Sequence, residues 1–278
     1  MSMSFVNHII VGASGRLGQG LLRALDKETT QAPTKVEYSR WVDSNTAESY
    51  LRRISERSVV HVAAGIIDPK ASADDIRRIN IELPASIAKA IAGTEHRLAT
   101  YGSVMEYIIP LEHMNTYISG KLELSHALEE ARSKEGLDVV HFRLHTLYGG
   151  GAPSPFMFAG AMYKAIRMRA PFKMTNGLQF REYHHVDDEV AAILSVIDNQ
   201  PAGTMELSHG APVSLRDLAT FVFDAYDALE LLEIGALPDP VSDYFDSANR
   251  SDIPLLKTPF RDACAGVVNW FRTLDRTT

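Results

Sequence analysis

Tyr117 and Lys121 stand four residues apart in the stretch Tyr-Ile-Ser-Gly-Lys, a spacing that puts both on one helix face, about one turn apart. An ammonium beside a phenol favours the phenolate, which predicts a tyrosine pKa below its usual value of about 10. A phenol tuned in this way hands a proton to a carbonyl oxygen, or takes one from a hydroxyl, while hydride moves at the adjacent carbon. The pair alone carries little weight, because the same spacing arises on many solvated helices. Ser103 strengthens it. This serine follows the run Arg97 to Tyr101 and Gly102, at the C-terminal end of an expected strand, where open α/β sheets place ligands. It precedes Tyr117 by 14 residues, enough chain to turn back, and its hydroxyl suits a substrate oxygen.

A second group of residues suits a dinucleotide. The β-branched run Asn7 to Val11 predicts a buried strand and leads straight into Gly12-Ala-Ser-Gly-Arg-Leu-Gly18, then a helix-like stretch. Strand, glycine turn and helix form the context in which such a string binds a pyrophosphate. Gly12 permits the turn, Gly15 admits the phosphates, Gly18 lets helix pack on strand, and Ser14, Arg16 and Leu17 line the same loop. Lys35 to Tyr38 is predicted as the second strand, ending in Ser39-Arg40. With no acid at that end, Arg16, Ser39 and Arg40 suit the 2′-phosphate of NADP(H). The alternative is NAD(H), with Asp43 acting on the adenosine half. Beyond the strand Ser58 to Val62, the small residues Ala63, Ala64 and Gly65 let backbone lie against the cofactor.

The elements that position these groups alternate strand and helix, so the expected fold is α/β. It is a doubly wound, Rossmann-type parallel sheet with a small C-terminal substrate-binding lobe, divided at about residues 1–150 and 151–278, some later segments returning to the core. Asp74 to Ala92 is predicted as one long helix that Pro84 bends or restarts, and Ser154 to Arg169 and Phe260 to Leu274 as further helices. Ala236 to Pro254 reads as loop.

The glycine loop, HVAAG, YGSVMEY, YISGK, FRLHTLYG and REYHHVDD, in this order, resemble the extended short-chain dehydrogenase/reductases, specifically the NAD-dependent epimerase/dehydratase family acting on nucleotide sugars, and within it the 4-keto-6-deoxysugar reductases. The resemblance runs from about Asn7 to about Leu218. It implies that Ser103, Tyr117 and Lys121 are the catalytic trio, with Lys121 also on the nicotinamide ribose. It further implies that Val104, Met105, Thr146 and Arg181 face the substrate, Arg181 gripping the nucleotide diphosphate. Thr146 stands where the family usually carries Asn. The family commonly dimerises through the helix bearing Tyr and Lys, which implies a homodimer.

Among the family's reactions, dehydration needs an added acid and base immediately after the serine, and Val104 and Met105 supply neither. Glu106 is one place too late. Reduction of a nucleotide-linked keto sugar by NADPH is favoured over NAD-dependent epimerisation, because of the basic ribose pocket and the short C-terminal part. Two other classes are a regulatory NADP(H) binder, which typically loses the Tyr or Lys kept here, and a reductase of non-sugar ketones, against which Arg181 argues. A metal reading of His184, His185, Asp187 and Asp188 is set aside. Adjacent histidines on a strand face opposite ways, and the two acids suit a helix start.

Composition fits these readings. The 278 residues are 45% hydrophobic and 23% charged, and the net charge of -7 argues against nucleic acid as main partner. No apolar run reaches the roughly 20 residues of a membrane helix. The single cysteine, Cys264, fits a reducing cytoplasm, and no signal peptide is read.

Overall fold

Short runs of β-branched residues build the central sheet of the computed structural model, which describes residues 7–197, 199, 202–239, 255–257 and 259–276. The strands are β1 (Asn7–Val11), β2 (Thr30–Gln31), β3 (Ser58–Val62), β4 (Arg97–Ser103) and β5 (Val139–Leu144), joined by Gly203–Ser208 and Leu255–Lys257. Their order is 255–257, 203–208, β5, β4, β3, β1, β2. The pairings from β2 through to 203–208 are all parallel, as between β1 and β3, where Ile9 faces Val60. Every residue of β3 and of β5 is buried, the pattern of strands covered on both faces. The expected doubly wound, Rossmann-type sheet is therefore present.

Two compact units make up the described chain. The first contains residues up to Leu144 together with 190–207 and 255–256; the second contains 145–189, the described part of 208–251, and 257 onwards. In the first unit, Ile9, Val11, Val60, Val62, Leu98 and Val139 pack against the helices α3 (Ser44–Leu51), α5 (Leu83–Ile91) and α7 (Thr116–Glu135), defined with their neighbours below. Burial of each large aliphatic side chain in such a core contributes about 1.5–3 kcal/mol. In the second unit, the helices Phe158–Met168, Leu215–Asp224 and Ala263–Asp275 close on Tyr148, Phe172 and Tyr183.

Lys35 to Tyr38 is not a strand. It forms the short helix α2 (Lys35–Tyr38), and the second strand is Thr30–Gln31. Thr34 and Glu37 form a reciprocal capping box: Glu37 N donates to Thr34 Oγ1 at 3.3 Å, and Thr34 N donates to Glu37 Oε2 at 2.7 Å. The helical turn buries Tyr38 and Trp41, three residues apart, in the same core. The local Thr-x-x-Glu pattern and this burial outweighed the β-branched look of the segment.

The long helix expected over Asp74 to Ala92 is broken in the middle. After α1 (Arg16–Ala24) and the elements already given, α4 (Ala73–Arg77) runs into a π turn, Arg78–Glu82, before α5 restarts with Pro84 in its first turn. Proline is harmless there because the first N–H groups of a helix have no partner within it. The π turn aims Asn80 at the loop after β3, where Asn80 accepts from Ile66 N at 2.8 Å and donates to Ile66 O at 2.9 Å. The helix expected from Ser154 begins at Phe158. The part of the expected loop from 240 to 254 lies outside the described residues.

Candidate active site

The chain leaves β1 for β2 on one side and returns to β3 on the other, so the C-terminal ends of β1 and β3 bound a topological switch point. Both predicted small-residue segments sit there. Gly12 has a φ of +92°, and a Cβ on it would collide with the backbone of Ala64, so Gly12 lies in direct contact with Ala63-Ala64. A Cβ on Gly18 would strike Gly12 O and come within 2.7 Å of Ala13 Cα, so α1 packs against its own entry turn only as glycine. Gly15 is different: it is exposed, and a Cβ there would meet nothing nearer than Gly12 O at 3.4 Å and Ala63 O at 3.9 Å. The open cradle in front of Gly15, at the N-terminus of α1, fits a pyrophosphate. Gly18→Ala is expected to lower the melting temperature, by roughly 1–3 kcal/mol of overpacking. Gly15→Ala should leave melting unchanged and weaken dinucleotide binding. Equal melting of the two variants would contradict this division of roles.

Arg16 begins α1 and is half-buried, between exposed Ser14 and Gly15 and buried Leu17. Ser39 and Arg40 do not end a strand; they follow α2, so the geometric premise of their assignment is corrected. Ser39 Oγ donates to Val36 O at 3.0 Å, its carbonyl accepts from Arg78 Nη2 at 3.3 Å, and Arg40 is exposed. Arg78 carries no local sequence signal for this place, because only the π turn brings it to Ser39. Asp43 caps α3, accepting from Asn45 N at 3.1 Å and from the Thr46 hydroxyl at 3.0 Å. Residues 32–36, which follow β2, contain no acid.

The chemistry-bearing residues gather around the end of β4. Ser103 is its last residue, followed by the short helix α6 (Met105–Ile108). Asn115 caps α7 by accepting from Ile118 N at 2.9 Å, which starts the helix just ahead of Tyr117. Within α7, Lys121 is buried, and its Nζ lies 5.9 Å from the Tyr117 ring centroid. Lys121 Nζ donates to Tyr101 O at 2.7 Å, tying α7 to β4 two residues before Ser103. Gly120 lets α7 approach the π turn, where a Cβ would press on Ile81 at 3.0 Å. Ser103 Oγ accepts from Met105 N at 3.2 Å, which leaves the hydroxyl proton for a substrate oxygen. Val104 is buried, and Met105 is half-buried.

The electrostatics differ from the sequence expectation. Tyr117 is pushed up to about 12 instead of down, first by burial and then by the negative charge of Glu106. Burial also lowers Lys121, with Glu106 opposing. Glu106 is thus part of this site rather than a misplaced carboxylate. It accepts Ser103 N at 2.6 Å and pairs with Arg143 Nε at 3.1 Å. Burial alone would raise its carboxyl; hydrogen bond and charge from His141, the Ser103 amide and Arg143 together hold it below the usual range. No sequence signal linked Glu106 to His141 and Arg143, which lie on β5, more than thirty residues away.

Thr146 and Arg181 belong to the second unit. Thr146 opens the strand Thr146–Tyr148, which pairs in parallel with Tyr183–His185, and its N–H donates to Glu182 O at 3.1 Å. Arg181 pairs with Val213 in a short antiparallel ladder, and its Nη1 donates to Phe180 O at 2.7 Å. The residues weighed as metal ligands separate: Asp188 pairs with Arg261 at 2.6 Å, and His185 Nδ1 lies 3.7 Å from Asp187 Oδ2. His184 turns inward to Glu182 and His209, whose donor atoms lie with its own within 4.8 Å. Both His184 nitrogens already meet carboxylates, Glu189 at 2.6 Å and Glu182 at 3.1 Å, and His209 Nδ1 accepts from Ala211 N at 2.9 Å. Among the described residues no helix is long and apolar enough to cross a membrane.

A Rossmann-type sheet with a glycine turn at its switch point and Ser, Tyr and Lys at the end of β4 defines a short-chain dehydrogenase/reductase. Residues 8–207 match the model of the NAD dependent epimerase/dehydratase family, and the chain belongs to that family, whose cofactor is a nicotinamide dinucleotide. It is 23% identical over 262 residues to CDP-abequose synthase of Salmonella typhimurium, covering 84% of this chain and 87% of that protein. In fold it is similar to a dTDP-4-dehydrorhamnose reductase from Clostridium acetobutylicum (TM-score 0.72, 17% identity, 97% of this chain and 99% of that one). It is also similar to a dTDP-glucose 4,6-dehydratase from Streptomyces venezuelae with NAD bound (TM-score 0.76, 14% identity, 97% of each chain).

Proposed function

We propose that the protein reduces a keto group on a nucleoside-diphosphate-linked sugar, a 4-keto-6-deoxy hexose in the first instance, with NADPH as the reductant. The observation that carries this reading is the assembly of Ser103, Tyr117 and Lys121 at the end of β4, with Tyr117 kept as a neutral phenol. The bound dinucleotide supplies hydride to the carbonyl carbon. Tyr117 gives its proton to the carbonyl oxygen, Ser103 donates a hydrogen bond to that oxygen, and the buried Lys121 ammonium, held by Tyr101 O, steadies the tyrosinate that remains. Lys121 also holds the nicotinamide ribose, and Arg181 takes the substrate diphosphate.

Two observations support this reading. Val104 and Met105 offer no acid or base for dehydration, and the resemblance to CDP-abequose synthase and to a dTDP-4-dehydrorhamnose reductase points to nucleotide-linked sugars. Preference for NADP(H) rests on the absence of an acid after β2, on Arg40 and Arg78 beside Ser39, and on Arg16 of the glycine turn. We extend the reading to a cytoplasmic homodimer. NADPH is expected to bind at least about tenfold more tightly than NADH, a single phosphate contact being sufficient for that. Purified protein should oxidise NADPH stoichiometrically with a 4-keto-6-deoxysugar nucleotide. Co-purifying NAD with sugar interconversion and no net oxidation would instead make the protein an epimerase.

A further inference from the structure

Glu106 has no solvent exposure and is gripped from three sides. Its Oε1 accepts the Ser103 amide, and its Oε2 accepts from Arg143 and lies 3.4 Å from His141 Nε2. Gly102 makes the room: a Cβ there would collide with Glu106 Oε1 and the His141 ring. His141 is fixed in turn by Thr100, whose Oγ1 lies 2.7 Å from His141 Nδ1. On the far side, the Arg143 guanidinium lies 5.4 Å from the Tyr107 ring centroid, and the Tyr107 hydroxyl donates to Glu206 at 2.7 Å. A buried carboxylate is costly unless held in this way, and a network built to keep one ionised beside a Tyr/Lys pair changes what that pair does.

We propose that Glu106 is a positioning residue of the reduction proposed above: it pins Ser103 through its amide and stands as a fixed negative charge near Tyr117 and Lys121. The site is thereby biased towards giving a proton to a developing alkoxide over taking one from an alcohol. In the reducing direction the carbonyl oxygen takes the Tyr117 proton as its carbon takes hydride, and the tyrosinate left behind regains a proton from water. The reverse reaction needs the tyrosinate first, and Glu106 disfavours it. Among the described residues of this unit, Lys121 on its own helix and Glu106 on α6 carry charge beside Tyr117, with His141 and Arg143 on β5 behind Glu106. Burial and Glu106 both favour the neutral phenol, which rises to about 12.

The test is Glu106→Gln, which keeps the side-chain shape and an oxygen for the Ser103 amide. Ionisation of Tyr117 is read by ultraviolet difference spectra against the matching Tyr117→Phe protein, without substrate or cofactor. The titration is expected to move down by up to about one pH unit, since burial, the larger cause of the rise, stays in place. The alkaline fall in ketone reduction should move down with it, and alcohol oxidation at neutral pH should rise. Because Arg143 is left uncompensated, Glu106→Gln/Arg143→Met serves where the single variant does not fold, with a smaller shift in the same direction. Glu106→Asp should keep the titration while loosening Ser103, seen as a lower kcat. A folded variant in which Tyr117 titrates as in the wild type overturns the proposal. A shifted titration in a protein that reduces no keto sugar overturns the reductase assignment and leaves the charge effect standing.

Discussion

Tyr117→Phe should lower turnover of the keto sugar by about 10²–10⁴-fold, the usual worth of a positioned general acid. The ring and its packing stay, and only the proton donor goes. Because Lys121 is anchored by Tyr101 O and not by the phenol, the lysine should keep its place in the variant. Dinucleotide binding, followed by quenching or transfer of nicotinamide fluorescence, is therefore expected to remain as in the wild type. Lys121→Ala should differ, losing both turnover and cofactor affinity, since one side chain serves the phenol and the ribose. Wild-type activity in Tyr117→Phe would remove the phenol from the mechanism and leave water or Ser103 as the donor.

What the sequence disclosed about this site was local, and what it hid was not. The glycine turn, the strand ends and the Tyr-x-x-x-Lys spacing each sit within about ten residues, so their physical meaning survives without knowledge of the fold. The Thr34/Glu37 capping box was local too, but a short run containing Val and Tyr resembled a strand until the burial of Tyr38 and Trp41 decided otherwise. The direction of the Tyr117 perturbation could not be read from spacing. It depends on burial and on Glu106, whose charge is fixed by residues of β5. The same holds for His184, whose carboxylate partners are close in sequence but whose neighbours His145 and His209 come from strands' ends far apart in the chain. Composition gave no hint that histidines would fill part of the interior.

That histidine cluster carries the second large effect. Glu182→Leu should cost about 3–5 kcal/mol, the usual loss when one partner of a buried charged network is removed. The Ser208 hydroxyl at 2.7 Å, the His209 amide at 2.9 Å and His184 Nε2 at 3.1 Å would all lose their acceptor in a region shielded from water. For a chain of this size the melting temperature should fall by on the order of 10 °C. Glu182→Gln should lie between the two, keeping an oxygen for Ser208 but no charge for His184. The pH dependence has two arms. Burial would raise Glu182, but the hydrogen bond from His184, the charge of His145, and Ser208 and His209 together pull it far below the carboxylate range. Its contribution is thus present above its unfolded pKa of about 4.3 and is lost as pH falls towards the folded value. Burial lowers His184, yet hydrogen bonds to Glu182 and Glu189 raise it overall. Its contribution is full below its unfolded pKa of about 6.5 and is lost as pH rises through the higher folded value. The Glu182–His184 pair therefore stabilises most between about pH 4.5 and 6.5. Melting curves from pH 5 to 9 should show an alkaline decline in the wild type that is flatter in His184→Gln. Parallel curves for the two proteins would mean that His184 is neutral in the folded state and that the paired carboxylates share a proton instead.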